Sequence, residues 1–296
     1  MSRSYFYDGS SWTANDSNAL HIGGDGLSAI SCGSPSFCMA VGDAGNGPDA
    51  AVWDGKAWKA SPIAAGTAKS FFISNSPQSI SCAAAGACLA VGSDASGHAA
   101  ALLFNTSGWS LRSLPISGGL SAISCVSSAF CAAIGSDDSD NFIVVHYNGS
   151  KWSASATMPT SADGTQFNDF SSISCASANF CGIGGSASSA AGESGGFASY
   201  QDGSITPPVA LPTTSAVQSV ACTDGNDCIT TSEEYDNGME RLLATQISGA
   251  EILGSTVIDA SFSRTGFEEG QGGLSCASGS FFMAAVGEDA EAAVPN

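Results

Sequence analysis

One pattern returns about six times along the 296 residues and limits the fold more than any other property of the chain. Its clearest copy runs from Leu27 to Trp58, LSAISCGSPSFCMAVGDAGNGPDAAVWDGKAW. Leu27 to Cys32 alternates between two faces, the period-2 signature of a strand; we label it a. Gly33 to Phe37 carries turn formers, and Cys38 to Val41 resumes an apolar run that stops at Gly42, giving strand b. Ala50 to Trp53 is a third run, c. The Asp54-Gly55 turn then returns the chain through Lys56 to Lys59 as d, Asp-Gly being a strong hairpin signal. Each repeat is therefore predicted to be an antiparallel meander of four strands.

Strand a reappears as QSISC at Gln78 to Cys82, SAISC at Ser121 to Cys125, SSISC at Ser171 to Cys175, QSVAC at Gln218 to Cys222 and GGLSC at Gly272 to Cys276. Cysteine to cysteine the period is 43 to 54 residues, which suits a four-stranded blade with variable loops. The c-d turns recur as Ser107-Gly108, Asn148-Gly149, Asp202-Gly203 and, weakly, Ser248-Gly249. No stretch keeps a 3.6-residue period. The sixth repeat supplies a and b and then runs out, whereas Tyr5 to Trp12, YFYDGSSW, is a c-d hairpin with no a-b pair before it. The expected fold is an all-β, six-bladed β-propeller of four-stranded antiparallel blades, with the N-terminal hairpin closing the last blade and leaving no exposed sheet edge there. It forms one domain over 1–296, with blades near 27–60, 78–112, 120–155, 170–206, 217–253 and 271–290 plus 3–14. An open solenoid is the alternative, and it would leave two half-repeats to cap.

These motifs resemble the secreted bacterial, chiefly actinobacterial, proteins built from tandem S-[IV]-S-C-x5-C-x-A-V-G repeats, each followed by an N-G-x-x-W or D-G-x-x-W hairpin. The resemblance covers nearly the whole chain and implies disulfide-stapled β-propellers. It implies no activity and supplies no catalytic residues. The fifth repeat, ACTDGNDC, drifts from the pattern, and the sixth departs from it at Phe282.

Eleven cysteines fall as five C-x5-C pairs and one remainder. The pairs are Cys32 with Cys38, Cys82 with Cys88, Cys125 with Cys131, Cys175 with Cys181, and Cys222 with Cys228. Each spans the end of a and the start of b, where facing residues of antiparallel strands lie about 4.5 to 5.5 Å apart, within disulfide reach. Zinc is the rival reading, but it lacks its usual ligand spacing here. Each staple closes a loop of about seven residues and contributes roughly 2.3 kcal/mol by chain entropy. Cys276 faces a position near Phe282 and is expected to be a free, inert thiol. Such cysteine use points to an extracellular, oxidising location. Met1 to Tyr7 is polar and shows no signal peptide, so a mature form with an added start Met is expected.

Charge narrows the partners. The net charge of −19 arises because only eight residues are Lys or Arg, and charged residues make up 12%. With no basic patch to neutralise phosphates, nucleic acid is excluded as a partner. No apolar run reaches the 18 residues or so that a membrane helix needs. Trp12, Trp58, Trp109 and Trp152 follow the c-d turns at repeated spacing, which marks packing positions more than a sugar-stacking platform.

The acids fall in the b-c loops of all six repeats, as Asp43 and Asp49; Asp94; Asp137, Asp138 and Asp140; Glu193; Glu233, Glu234 and Asp236; and Glu288, Asp289 and Glu291. In a closed propeller the b-c and d-a loops share one face, and these carboxylates would focus a negative potential at its mouth. The bland reading is that Asp and Gly simply make good solvated turns. The sharper reading is a ligand site of Asp43, Asp94, Asp137, Glu193, Glu233 and Glu288. No cofactor is expected, with Ca2+ at Asp137, Asp138 and Asp140 the exception, since hard cations want converging oxygens. The three histidines, His21, His98 and His146, assemble no Ser-His-Asp arrangement in sequence. The long d-a loop from Leu253 to Gly270 offers Asp259, Glu268 and Glu269 with Arg264 as candidate catalytic groups for carboxylate chemistry. The function expected is a secreted or cell-surface, non-catalytic and monomeric module that binds a carbohydrate or a peptide or surface partner. Its alternatives are a glycoside hydrolase or polysaccharide lyase, and a purely structural surface protein.

Overall fold

The computed structural model describes residues 4–7, 12–15, 26–43, 48–64, 78–94, 96–114, 116–153, 156–211, 215–223, 226–236, 239–259, 272–277 and 280–285. All regular structure among them is strand. β1 (Ser4–Tyr7) and β2 (Trp12–Asn15) form an antiparallel hairpin. Five sheets follow, each a meander in chain order. The first holds β3 (Gly26–Ser34), β4 (Phe37–Asp43), β5 (Pro48–Trp53) and β6 (Trp58–Ala60). The second holds β7 (Ser79–Ala84), β8 (Ala87–Ser93), β9 (Ala99–Asn105) and β10 (Gly108–Ser113). The third holds β11 (Gly119–Ser127), β12 (Phe130–Ser136), β13 (Phe142–Tyr147) and the two-residue β14 (Ala156–Thr157).

β15 (Gln166–Ser177), β16 (Phe180–Ser189), β17 (Gly192–Gln201) and β18 (Ser204–Ile205) make the fourth sheet, and β19 (Val209–Leu211) adds a fifth strand beside β17, which the repeat did not predict. The fifth sheet is β20 (Val217–Thr223), β21 (Asp227–Asp236), β22 (Met239–Ser248) and β23 (Glu251–Asp259). β24 (Gly272–Ala277) and β25 (Ser280–Ala285) form a closing hairpin. Contacts divide the chain into two compact bodies, 1–141 with 145–155 and 142–144 with 156–296.

The five predicted disulfides are present, each joining residues directly opposite one another at the a-b turn, with Cα atoms 3.9 to 4.0 Å apart. In the last hairpin the register sets Cys276 opposite Phe281, one residue short of the expected Phe282. The other a-b pairs in the first four repeats take a bulge just after the first cysteine, as between Cys32 and Ser34; β24 and β25 pair straight through. A second bulge lies four residues before the cysteine. There Ser28, Ser121 and Ser171 are the extra residues of β3, β11 and β15, and their hydroxyls donate to the carbonyls of Val41, Ile134 and Gly184 on the neighbouring strand. The serine satisfies an acceptor that the broken ladder would otherwise leave unpaired.

Within each body, consecutive sheets pack face to face through apolar clusters. Met39 and Val41 of the first sheet meet Ile80, Ala90 and Leu102 of the second, all buried. Leu89 and Val91 of the second meet Leu120, Ile123 and Val145 of the third. Phe180, Phe197 and Leu211 of the fourth meet Val217, Val220 and Ile247 of the fifth. The residue two before the cysteine is the key plug, for Ile80, Ile123 and Val220 are buried under the preceding sheet. Ile30, at that position in the first sheet, is 57% exposed.

The tryptophans serve packing. Trp53 and Trp58 are buried with ring centroids 6.0 Å apart, Trp152 is buried against Tyr147 at 5.4 Å, and Trp109 lies against Phe104 at 5.1 Å. The Trp109 indole N–H donates to the Ser61 carbonyl at 3.1 Å, tying the second sheet to the first.

Candidate functional site

The b-c loops are the place to test the acid cluster. Asp94 and Asp137 occupy equivalent positions after Gly-Ser, and the two loops close identically. Asp94 Oδ1 accepts the N–H groups of Ser96 at 2.7 Å and His98 at 2.9 Å. Asp137 Oδ1 accepts those of Ser139 at 2.9 Å and Asn141 at 3.0 Å, and the Asn141 amide adds contacts to both oxygens at 3.2 and 3.1 Å. Short Asp side chains make such turns because the carboxylate reaches its own backbone two residues on. Asp140 completes the loop at a φ of 59°, which Asp tolerates better than most residues.

The amide from Asn141, then the backbone N–H groups of Asn141 and Ser139, hold the Asp137 carboxyl below the usual range. For Asp94 partial burial pushes upward, and the N–H groups of His98 and Ser96 together outweigh it, so this carboxyl is also depressed. His98 Nδ1 lies 3.7 Å from Asp94 Oδ1 in the same loop. His146 is on β13, where burial lowers its pKa.

The remaining acids are placed one loop at a time. Asp43 ends β4 opposite Pro48, and Asp49 lies inside β5, where its carboxylate takes the Ala50 N–H at 2.8 Å; both belong to strand ends and not to the loop proper. Glu193 is exposed on β17 opposite Ser188. Glu233 Oε1 accepts the Gln218 amide at 2.6 Å, and Glu234 lies 3.9 Å from Arg241. Asp138 and Asp140 are exposed. Among the described residues no group of three or more His, Cys, Asp or Glu side chains is arranged to hold a metal ion. Asp259 is the last residue of β23, opposite Leu242. Glu288, Arg264, Glu268 and Glu269 lie outside the described residues.

A second set of polar groups escaped the sequence reading: the serines of the S-[IV]-S-C motif itself. The hydroxyls of Ser31, Ser81 and Ser174, each one residue before a cysteine, accept the N–H of the next repeat's cysteine, Cys82, Cys125 and Cys222, at 2.9 to 3.0 Å. Ser79 and Ser172, three before, accept from Ile123 at 3.3 Å and Val220 at 3.0 Å. The signal was in plain sight as a repeated Ser, but its partner is 44 to 51 residues away. These bonds stitch neighbouring a strands and fix the spacing at which their loops emerge. Among the described residues no helix is long and apolar enough to cross a membrane.

No protein-family model and no curated protein matches the chain. Solved structures do. The WD40 repeats of RRP9 align with a TM-score of 0.55 at 12% identity, covering 89% of this chain and 74% of that one. SapL1 lectin, in complex with alpha methyl fucoside, aligns at 0.54 and 14% identity over 88% and 89%. BP39L lectin from Burkholderia pseudomallei aligns at 0.55 and 16% identity over 84% and 73%. With four-stranded antiparallel sheets as the repeating element, these likenesses identify the fold as a β-propeller.

Proposed function

We propose that the chain is a non-catalytic carbohydrate-binding module, secreted into the oxidising environment that its five disulfides call for. The observation that carries this reading is the likeness, over 84 to 88% of the chain, to propellers that are lectins, one of them holding a fucoside. Fold likeness alone is a weak guide to chemistry, so the exposed carboxylates matter as well. A sugar presents adjacent hydroxyl donors, and ionised carboxylates with open lone pairs accept them strongly.

The six b-c positions Asp43, Asp94, Asp137, Glu193, Glu233 and Glu288 are taken as the ligand-facing set. Glu193, Asp138 and Asp140, whose side chains are exposed, would contact sugar directly. Asp94 and Asp137, whose oxygens hold their own loops, would shape the site instead. The domain is proposed to be single and six-bladed over 1–296, because the half-repeats at its two ends are complementary in strand content.

A glycan array that includes α-methyl fucoside, run with calcium and with a chelator, tests the proposal. Saturable binding that weakens with Glu193→Ala or Asp138→Ala is the expected result, and a loss on chelation would add calcium at Asp137, Asp138 and Asp140. A blank array under both conditions overturns it. Turnover of a glycan that disappears with Glu268→Gln also overturns it, in favour of a hydrolase.

A further inference from the structure

The fifth sheet is polar inside where the others are apolar. Of the seven buried polar side chains among the described residues, five belong to it: Ser219, Thr230, Thr231, Ser232 and Thr245. Two residues after the second cysteine of each repeat stand Ala40, Ala90, Ala133 and Ile183, and the fifth repeat has Thr230 there. Four residues after it stand Gly42, Gly92, Gly135 and Gly185, and the fifth repeat has Ser232. Across the ladder Ala51, Leu102 and Ala198 face Ala40, Ala90 and Ile183, whereas Thr245 faces Thr230.

This concerted exchange makes a row of hydroxyls that runs inward from the surface. Ser255 of β23 is exposed, Thr245 of β22 lies opposite it, and Thr230 of β21 lies opposite Thr245. The ladder keeps its register at these residues, from Leu243 to Gln246 on β22. Thr245 Oγ1 and Ser255 Oγ are 2.8 Å apart. There the row breaks. Thr230 and Ser232 are wholly buried, and their hydroxyl oxygens find no hydrogen-bond partner among the described residues. Alternation sets both on the face of β21 that carries Cys228, which packs with Phe180, Phe197 and Leu211 of the fourth sheet. A hydroxyl buried without a partner is destabilising, and folded chains seldom leave two on one face.

The spacing suits a bridge. Opposed residues of antiparallel strands have Cβ atoms about 4.5 to 5.5 Å apart, and a water at about 2.8 Å from each of two oxygens spans up to about 5.6 Å. The Thr245 hydroxyl keeps capacity after its bond to Ser255, because a hydroxyl has one donor and two acceptor sites. Ser232, two residues along the same face from Thr230, supplies a third group, and three partners are what a buried water ordinarily has.

We propose that the fifth sheet holds an internal water between Thr230, Thr245 and Ser232, in exchange with solvent by way of Ser255. In a low-dielectric seam such a network is favourable only when every member is satisfied, which is why all three positions depart from the other sheets together. The site is separate from the carbohydrate reading and stands without it.

Crystal structures of the full chain at a resolution that shows ordered water, for the wild type and for Thr230→Val, test the proposal. The wild type should show a water within about 3.2 Å of Thr230 Oγ1 and of Thr245 Oγ1 or Ser232 Oγ, and Thr230→Val should lose it. Valine keeps the shape of threonine, so the urea midpoint reads the network as well. It should fall, because the water loses a partner, whereas in a dry seam replacing an unpaired hydroxyl by a methyl group raises it. Ser232→Ala should lower the midpoint in the same way. A wild type with no water at this place, a water that stays when Thr230 is valine, or a midpoint raised by either substitution overturns the proposal.

Discussion

The inner two strands of each repeat and the outer two obey different rules. The a and b strands are nearly interchangeable between repeats: a bulge four residues before the cysteine, a disulfide across the turn, a serine reaching to the next sheet. The c and d strands differ widely, the outermost running from two residues in β14 to nine in β23. The reason is contact. Within each body an inner strand meets the adjacent sheet through backbone as well as side chains, as β3 meets β7 and β15 meets β20, so a change in one repeat must be matched in the next. An outer strand has fewer such neighbours, although β10 still reaches the first sheet through Trp109, and its length varies more freely. Repetition in such a fold measures how many neighbours a position has, a point that holds before any function is assigned.

The comparison breaks first at glycine. A Cβ added at Gly135 on β12 would come within 2.0 Å of the Gly119 carbonyl oxygen and 2.8 Å of the Leu120 Cα, backbone atoms that cannot step aside. Gly135→Ala should cost about 3 kcal/mol or more, at the upper end of overpacking penalties. Gly108 opens the outer strand β10 at a φ of 94° and would meet nothing within 4 Å. Gly108→Ala should cost only about 1 kcal/mol, the backbone penalty alone. Urea denaturation of the two variants reads the difference directly, and equal losses would mean that the inner strands are no more constrained than the outer.

Next comes the staple. Replacing Cys125 and Cys131 together by alanine removes a cross-link between residues six apart and should lower stability by roughly 2.3 kcal/mol. The same unfolding assay, run on the wild type under reducing conditions, should show a larger drop because all five bonds open. A smaller effect comes from the inter-sheet serines. Ser81→Ala leaves the Cys125 N–H without its acceptor and should cost about 1 kcal/mol. Ser110→Ala, on the outer strand, loses a long 3.4 Å contact to the Leu103 carbonyl and should be near neutral. A double-mutant cycle of Ser79→Ala and Ser81→Ala would show whether the two bonds across one seam act together.

How far the chain could be read in advance follows the same division. Strands a and b were legible because period-2 alternation and the cysteine spacing are both local signals. Lys56 to Lys59 as a d strand was only half right, since β6 begins at Trp58, and nothing local announced β19 or the shortness of β14. The role of Ser81 was hidden because its partner is 44 residues on. Ser232 stands in the fifth repeat where Gly135 stands in the third, facing Val217 as Gly135 faces Leu120, so the register alone does not announce the glycine. Of the candidate site, the turn-forming nature of Asp94 and Asp137 was legible in Gly-Ser-Asp followed by small polar residues. Which carboxylates stay available to a ligand was not, because that depends on how each loop uses its own N–H groups.

The smallest effect expected is a pH dependence, and it separates the two halves by where protons bind. His146 lies on β13, the third strand of its sheet, with its ring centroid 5.8 Å from that of Phe130. Burial lowers its pKa below the ordinary 6.5. The unfolded chain therefore takes up a proton near pH 6.5 that the folded chain resists, so this contribution to stability is complete above pH 6.5 and declines as pH falls toward the depressed folded value. Asp94 and Asp137 have folded values held below 3.8, so the stability they contribute is present above that pH and is lost only as pH drops further. Thermal melts between pH 7 and 5 should thus fall gently in the wild type, and His146→Gln should flatten that interval without altering the steeper loss in acid. A wild type whose melting temperature is level from pH 7 to 5 would mean that the His146 ring takes up its proton in the folded chain as readily as in the unfolded one, and that the third strand is open to water where the inner pair is not.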